Sequence, residues 1–152
     1  MSTTREILHT LKDFMPSQQL AFMQQLTHGE EGEYFVSKFE EMANTVSAMP
    51  KTYETEGVAM DDKNIVLHYF YGNMDWYIIE KDLEIDEPQY QAFGIADIGF
   101  GLSGGGYISI DEIINMRGVE IDLHWKPCTV AQLGQKQPSR CDCKALTSLD
   151  WC

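Results

Sequence analysis

Apolar residues recur at three- and four-residue steps through the first fifty positions, and often at two-residue steps afterwards. Ile7, Leu8, Leu11, Phe14 and Met15 make the first stripe. Thr3-x-x-Glu6 ahead of it is a capping-box pattern, so a helix is predicted from Thr3 to about Phe14. Pro16 interrupts the pattern, because proline fits only the first turn of a helix. A second helix, Ser17 to Thr27, places Leu20, Met23 and Leu26 on one face and has Gly29 beyond its end. The third, about Glu30 to Ala48, repeats Phe35, Phe39, Met42, Val46 and Met49 at 4-3-4-3 spacing. Its acids Glu30, Glu31 and Glu33 fall in the first turn, where the helix dipole favours negative charge, and Pro50 closes it.

Residues 51–63 read as a polar connector, after which β-branched and aromatic segments follow one another between glycine or acidic turns. The predicted strands are Ile65–Tyr71, Asp75–Lys81, Tyr90–Ile98, Tyr107–Ile110 and Val119–Trp125. A second capping box, Ser109-x-x-Glu112, with Ile113, Ile114 and Met116 before Gly118, predicts a short helix between the last two. Tight turns favour antiparallel pairing over βαβ units. The fold class read from this pattern is α+β. An N-terminal helical hairpin or three-helix unit (1–50) packs on a mostly antiparallel sheet of four or five strands (51–135) as one folding unit, and a cysteine-bearing tail (136–152) follows.

The 152 residues are 43% apolar and 23% charged, a globular composition sufficient for one domain. No apolar run approaches the roughly 20 residues of a membrane-spanning helix, and Met1–Glu6 lacks a signal peptide's apolar stretch, so a cytoplasmic location is expected. Charge is the stronger signal. Eleven Lys and Arg stand against 24 Asp and Glu, and residues 30–122 alone carry 20 acids against five bases, a net of −15. Such a field repels nucleic acid and anionic lipid and steers basic surfaces inward. A solvated acidic exterior that serves only solubility is the plainer alternative.

Candidate chemistry is sparse. In Glu120-Ile121-Asp122-Leu123-His124-Trp125 the polar residues alternate with apolar ones, so Asp122 and His124 share a strand face. With His68 and Asp75 they could serve a metal-assisted hydrolase, although any half-buried strand shows the same wet face and His68 also reads as a packed ring. Gly101-Leu102-Ser103-Gly104-Gly105 matches G-x-S-x-G, but a strand rather than a helix follows, so a glycine-rich turn explains it better. Cys128, Cys141, Cys143 and Cys152 crowd the end without paired C-x2-C knuckles. A structural zinc at these thiols, with or without His124, and free thiols are the two readings; no other cofactor is implied. Tyr69, Tyr71, Trp76 and Tyr77 suit either a peptide groove or a core.

A broader resemblance rests on longer runs. These are His68–Asp82, Gln91–Asp97, Gly106–Glu112 and Gly118–Pro127, with Gly29–Glu33 and Ala48–Glu54 upstream. Together they resemble a family of small domains of unknown function carried on bacterial plasmids, phages and other mobile elements, over roughly residues 28 to 133. Gly104-Gly105 departs from the acid and leucine more usual there, and the cysteine tail has no counterpart. The family brings no catalytic residues; what the resemblance implies is an intracellular bacterial protein of mobile DNA. Combined with the charge, the expectation is a non-enzymatic inhibitor, of the anti-restriction or anti-CRISPR kind, that binds a basic nucleic-acid-handling host protein. Neither direct nucleic-acid binding nor membrane binding is expected. Glu80, Asp82, Glu84, Asp86 and Glu87 are the candidate contact residues, since they crowd one strand end and its turn.

Overall fold

The computed structural model describes residues 3–82 and 91–136. Three helices open it: α1 (Thr4–Leu11), α2 (Ser17–Leu26) and α3 (Gly32–Ala48). Both halves of the first capping box form, with Thr3 Oγ1 accepting from the Glu6 amide at 3.2 Å and the Glu6 carboxylate from the Thr3 amide at 2.7 Å. Of the three acids placed in the first turn of α3, only Glu33 lies there. The link from α2 closes tightly on Gly32, where a Cβ would stand 2.3 Å from the Thr27 carbonyl oxygen.

The remaining elements are β1 (Asn64–Ile65), β2 (Leu67–Tyr71), β3 (Met74–Lys81), β4 (Gln91–Asp97), β5 (Gly106–Ser109), α4 (Ile110–Asn115), β6 (Glu120–Ile121), β7 (Cys128–Thr129) and α5 (Val130–Lys136). Five strands form an antiparallel sheet in the order β5-β4-β3-β2-β6, so the α+β reading with three packed N-terminal helices holds. Leu67, Tyr69, Trp76, Ile78 and Ile121 turn one face toward the helices and bury with Leu11, Met15, Phe39, Met42 and Val46. The buried Tyr69 hydroxyl donates to the Phe14 carbonyl, which ties the sheet to the chain just after α1.

The opposite face is also covered, which the hydrophobic pattern did not indicate. Tyr77, Ile79 and Ile95 pack there with Ile65, Cys128 and Leu133, beneath the β1–β7 pair and α5. Cover on both sides explains why β3 is buried without alternation from Trp76 to Glu80.

Two predicted strands are corrected. Ile65–Tyr71 divides at Val66, whose amide donates to Ile78 O at 2.8 Å while β1 leaves to pair with β7. Val119–Trp125 is a strand only at Glu120–Ile121. Asp122 ends it, because its Oδ1 accepts from the His124 amide at 2.9 Å and folds the chain into a turn. Among the described residues no helix is long and apolar enough to cross a membrane.

Candidate functional site

Three of the four residues considered for catalysis meet. The β2–β3 register sets His68 opposite Tyr77 and Phe70 opposite Asp75, so Asp75 lies diagonally beside His68 on the same face. Beyond β6 the Asp122 amide donates to His68 O at 2.8 Å, which brings the Asp122 side chain to the other side of the ring. His68 Nε2 then faces Asp75 Oδ1 at 2.8 Å, and His68 Nδ1 faces Asp122 Oδ2 at 3.1 Å. The ring stacks on Tyr77 at 4.8 Å and 7°, with Trp125 at 5.1 Å. A ring donating from both nitrogens satisfies both carboxylates, whereas a singly protonated ring turns a lone pair on one of them.

This geometry is a strut between β2, β3 and the turn after β6. A general base or metal ligand needs a ring nitrogen open to its target, and here each already faces a carboxylate oxygen. His124 does not join it: its side chain is exposed, and Asp122 takes its main-chain N–H. No group of three or more His, Cys, Asp or Glu among the described residues is arranged to hold a metal ion. Cys128 is buried in the smaller core as a small apolar side chain, while Cys141, Cys143 and Cys152 lie outside the described residues. Ser103 closes the β4–β5 loop, its amide donating to Ala96 O at 2.8 Å and its Oγ accepting from the Ala96 amide at 3.0 Å. Tyr69, Trp76 and Tyr77 are buried core residues, so they line no peptide groove; only Tyr71 is exposed.

The acidic contact residues separate into different environments. Glu80 is corrected: it is 4% exposed and points inward, accepting from the Tyr53 amide at 3.3 Å, the Thr55 amide at 3.0 Å and Thr55 Oγ1 at 2.5 Å. Lys63, also buried, donates to Thr55 O and to Thr55 Oγ1 at 2.7 Å, so lysine, threonine and glutamate form one relay. Asp82 is half-buried, and Glu84, Asp86 and Glu87 lie outside the described residues.

The relay has a consequence for the surface. It pins residues 53–62 against the end of β3, and that segment carries Glu54, Glu56, Asp61 and Asp62, all exposed. Tyr53 accommodates the tight entry with φ 74°, a region costly for a residue with a side chain. Thr52 adds a hydrogen bond from its amide to Lys81 O at 2.8 Å. Lys81 in turn donates to Val46 O at 2.9 Å and Ser47 O at 3.2 Å, closing the C-terminal end of α3. Partial burial lowers the Lys81 pKa, and Lys51 nearby lowers it further against the opposing pull of Glu54. Four acids in nine residues were visible in the connector, yet nothing local marked their attachment to β3. Among the described residues, the other exposed acids of the middle block lie on and before α3 (Glu30, Glu31, Glu33, Glu40, Glu41) and around α4 and β6 (Asp111, Glu112, Glu120).

Comparison with protein-family models, with curated proteins and with solved structures finds no match to this chain.

Proposed function

We propose that this chain is a non-enzymatic acidic protein of a mobile genetic element that binds, and thereby inhibits, a basic nucleic-acid-handling host protein. The observation that carries the reading is the mounting of Glu54, Glu56, Asp61 and Asp62 on a segment fastened to β3 by the Glu80–Thr55–Lys63 relay. Carboxylates on a fixed frame can occupy a cationic groove in place of phosphates, and the field of a −13 chain speeds the encounter. The mobile-element context rests on the resemblance described from the sequence. The competing hydrolase built on Asp122 and His124 gains no support from the geometry, since His68 faces a carboxylate at each nitrogen and Asp122 meets only the main-chain N–H of the exposed His124.

The test is affinity capture from bacterial lysate at low and at high salt, with the wild-type chain and with a variant carrying Glu54→Gln, Glu56→Gln, Asp61→Asn and Asp62→Asn. The captured protein is then assayed for nucleic-acid cleavage or binding with and without the chain. Capture should fall steeply as salt rises, weaken at least tenfold in the variant, and coincide with loss of the captured protein's activity. Capture indifferent to both salt and the four substitutions would overturn the reading.

A further inference from the structure

Glu80 is the first member of a row that crosses three strands. Register sets Glu80 of β3 opposite Phe93 of β4, and Phe93 opposite Tyr107 of β5. Residues directly opposite across antiparallel strands share a face, so the three side chains stand in line. Each meets a residue of the segment 53–63. Glu80 accepts from the Thr55 amide at 3.0 Å, Phe93 has Lys63 Nζ 5.8 Å from its ring centre, and the Tyr107 hydroxyl donates to that of Tyr53 at 3.0 Å. Phe93 and Tyr107 also meet edge to face, with 6.1 Å between ring centres and 78° between planes.

Gly105, just ahead of β5, completes the outer end of the row. A Cβ there would overlap Met60 Cε and stand 2.9 Å from Phe93 Cζ, whereas one at Gly104 would meet nothing within 4 Å. The missing side chain at 105 is what gives Met60 its seat. Met60 opens the short 3₁₀ turn Met60–Asp62, so that seat fixes the backbone carrying Asp61 and Asp62. Glu54 lies between Tyr53 and Thr55, which answer to Tyr107 and to Glu80. The acidic segment is therefore held at two places. The Glu80 carboxylate supplies one, and the uncharged Phe93, Gly105 and Tyr107 supply the other.

We propose that Phe93, Gly105 and Tyr107 are positioning residues for the acidic surface: through Met60 and Tyr53 they fix where its carboxylates stand and so govern the binding of a basic host protein, a role that rests on the function proposed above. Long-range attraction follows total charge, which changes at these three positions leave alone. Close pairing depends on where each carboxylate is held, because a group fixed in advance loses little freedom on binding. Substitutions at Gly105 and Tyr107 therefore separate placement from charge.

Hydrogen exchange of the intact free chain tests the mounting, and fluorescence anisotropy of a labelled hexa-arginine peptide tests its consequence. Tyr107→Phe removes the hydroxyl alone. Gly105→Val puts a branched side chain where Met60 lies; a single methyl would be absorbed by a swing of that flexible tip. Each should speed exchange at residues 53–62 about threefold or more, while the β2–β3 amides keep their protection and circular dichroism confirms the fold. Tyr53→Phe combined with Tyr107→Phe should open the segment no further than either change alone, since each removes the same hydrogen bond. Peptide affinity should fall about threefold or more in both single variants at unchanged net charge. Unchanged exchange at 53–62 in Tyr107→Phe and Gly105→Val, additive opening in the double variant, or faster exchange with peptide affinity unchanged would each overturn the proposal. Peptide affinity indifferent to neutralising Glu54, Glu56, Asp61 and Asp62 would instead overturn the acidic surface as a binding site, and the exchange result judges the mounting separately.

Discussion

Glu80→Ala removes the one acceptor shared by three donors: the Tyr53 and Thr55 amides and Thr55 Oγ1. Hydrogen bonds to a charged group contribute about 1.5–3 kcal/mol each, but these three are not independent. Tyr53 is exposed and its amide regains water once the segment loosens, so the sum of three overstates the loss. Lys63 adds to it, because a buried ammonium loses the carboxylate that balances it through Thr55. The expected cost is about 3–5 kcal/mol, a large part of the roughly 5–15 kcal/mol that holds a domain of this size together. That corresponds to a fall of roughly 6–20 °C in Tm. Glu80→Gln retains the shape and one acceptor oxygen while turning an amide donor on another donor, and should cost about 1–3 kcal/mol. Urea unfolding followed by tryptophan fluorescence measures both, and hydrogen exchange should show residues 53–62 opening well before the β2–β3 amides in the alanine variant. A cost under about 1 kcal/mol, with exchange of 53–62 unchanged, would refute the claim that this carboxylate mounts the acidic segment.

Three further outcomes follow from the same geometry. Burial holds the Tyr69 phenol well above the ordinary tyrosine value. Its contribution is therefore complete below pH about 10 and is lost above it, as the unfolded chain ionises and the folded one does not, with a slope of up to about 1.4 kcal/mol per pH unit. Tyr69→Phe should flatten that alkaline slope in pH-dependent denaturation and, by stranding the Phe14 carbonyl, lower stability by about 1–2 kcal/mol near neutrality. Gly94→Ala places a Cβ 2.1 Å from the Tyr77 carbonyl oxygen, on backbone that cannot turn aside, and should cost about 3 kcal/mol or more. Gly104→Ala meets nothing within 4 Å and should be near neutral by the same thermal melt. A double-mutant cycle of His68→Phe with Asp122→Asn should show coupling of about 1–2 kcal/mol if the ring is a strut; additive losses would contradict it.

The elements legible in the chain are those whose signals are local. Thr3 with Glu6 and Ser109 with Glu112 each mark a helix start within four residues, and both caps form, the second through Ser109 Oγ and the Glu112 amide at 3.2 Å. Pro16 and Pro50 bound helices wherever they fall, because a missing N–H acts at its own position. Gly72-Asn73 turns β2 into β3 without reference to anything distant. From such marks the α+β class and the three-helix unit could be written down, and His68, Asp75 and Asp122 could be named.

Their meeting could not, and neither could the fate of Glu80. His68 receives its two carboxylates from residues 7 and 54 positions away, one through the β2–β3 register and the other through the turn beyond β6, whose Asp122 amide bonds His68 O. Glu80 turns inward because a register irregularity between Ile78 and Glu80 sets it opposite Phe93, and because a second layer covers that face. That layer rests on the two-residue strands β1 and β7, too short for any periodicity to announce, and 63 positions separate Ile65 from Cys128. The alternation from Glu120 to Trp125 failed as a strand because Asp122 bonded to its own chain, in competition with the sheet. What acts within a few residues could be read from the chain; which carboxylates are buried, and which are displayed, was decided only when distant segments closed on one another.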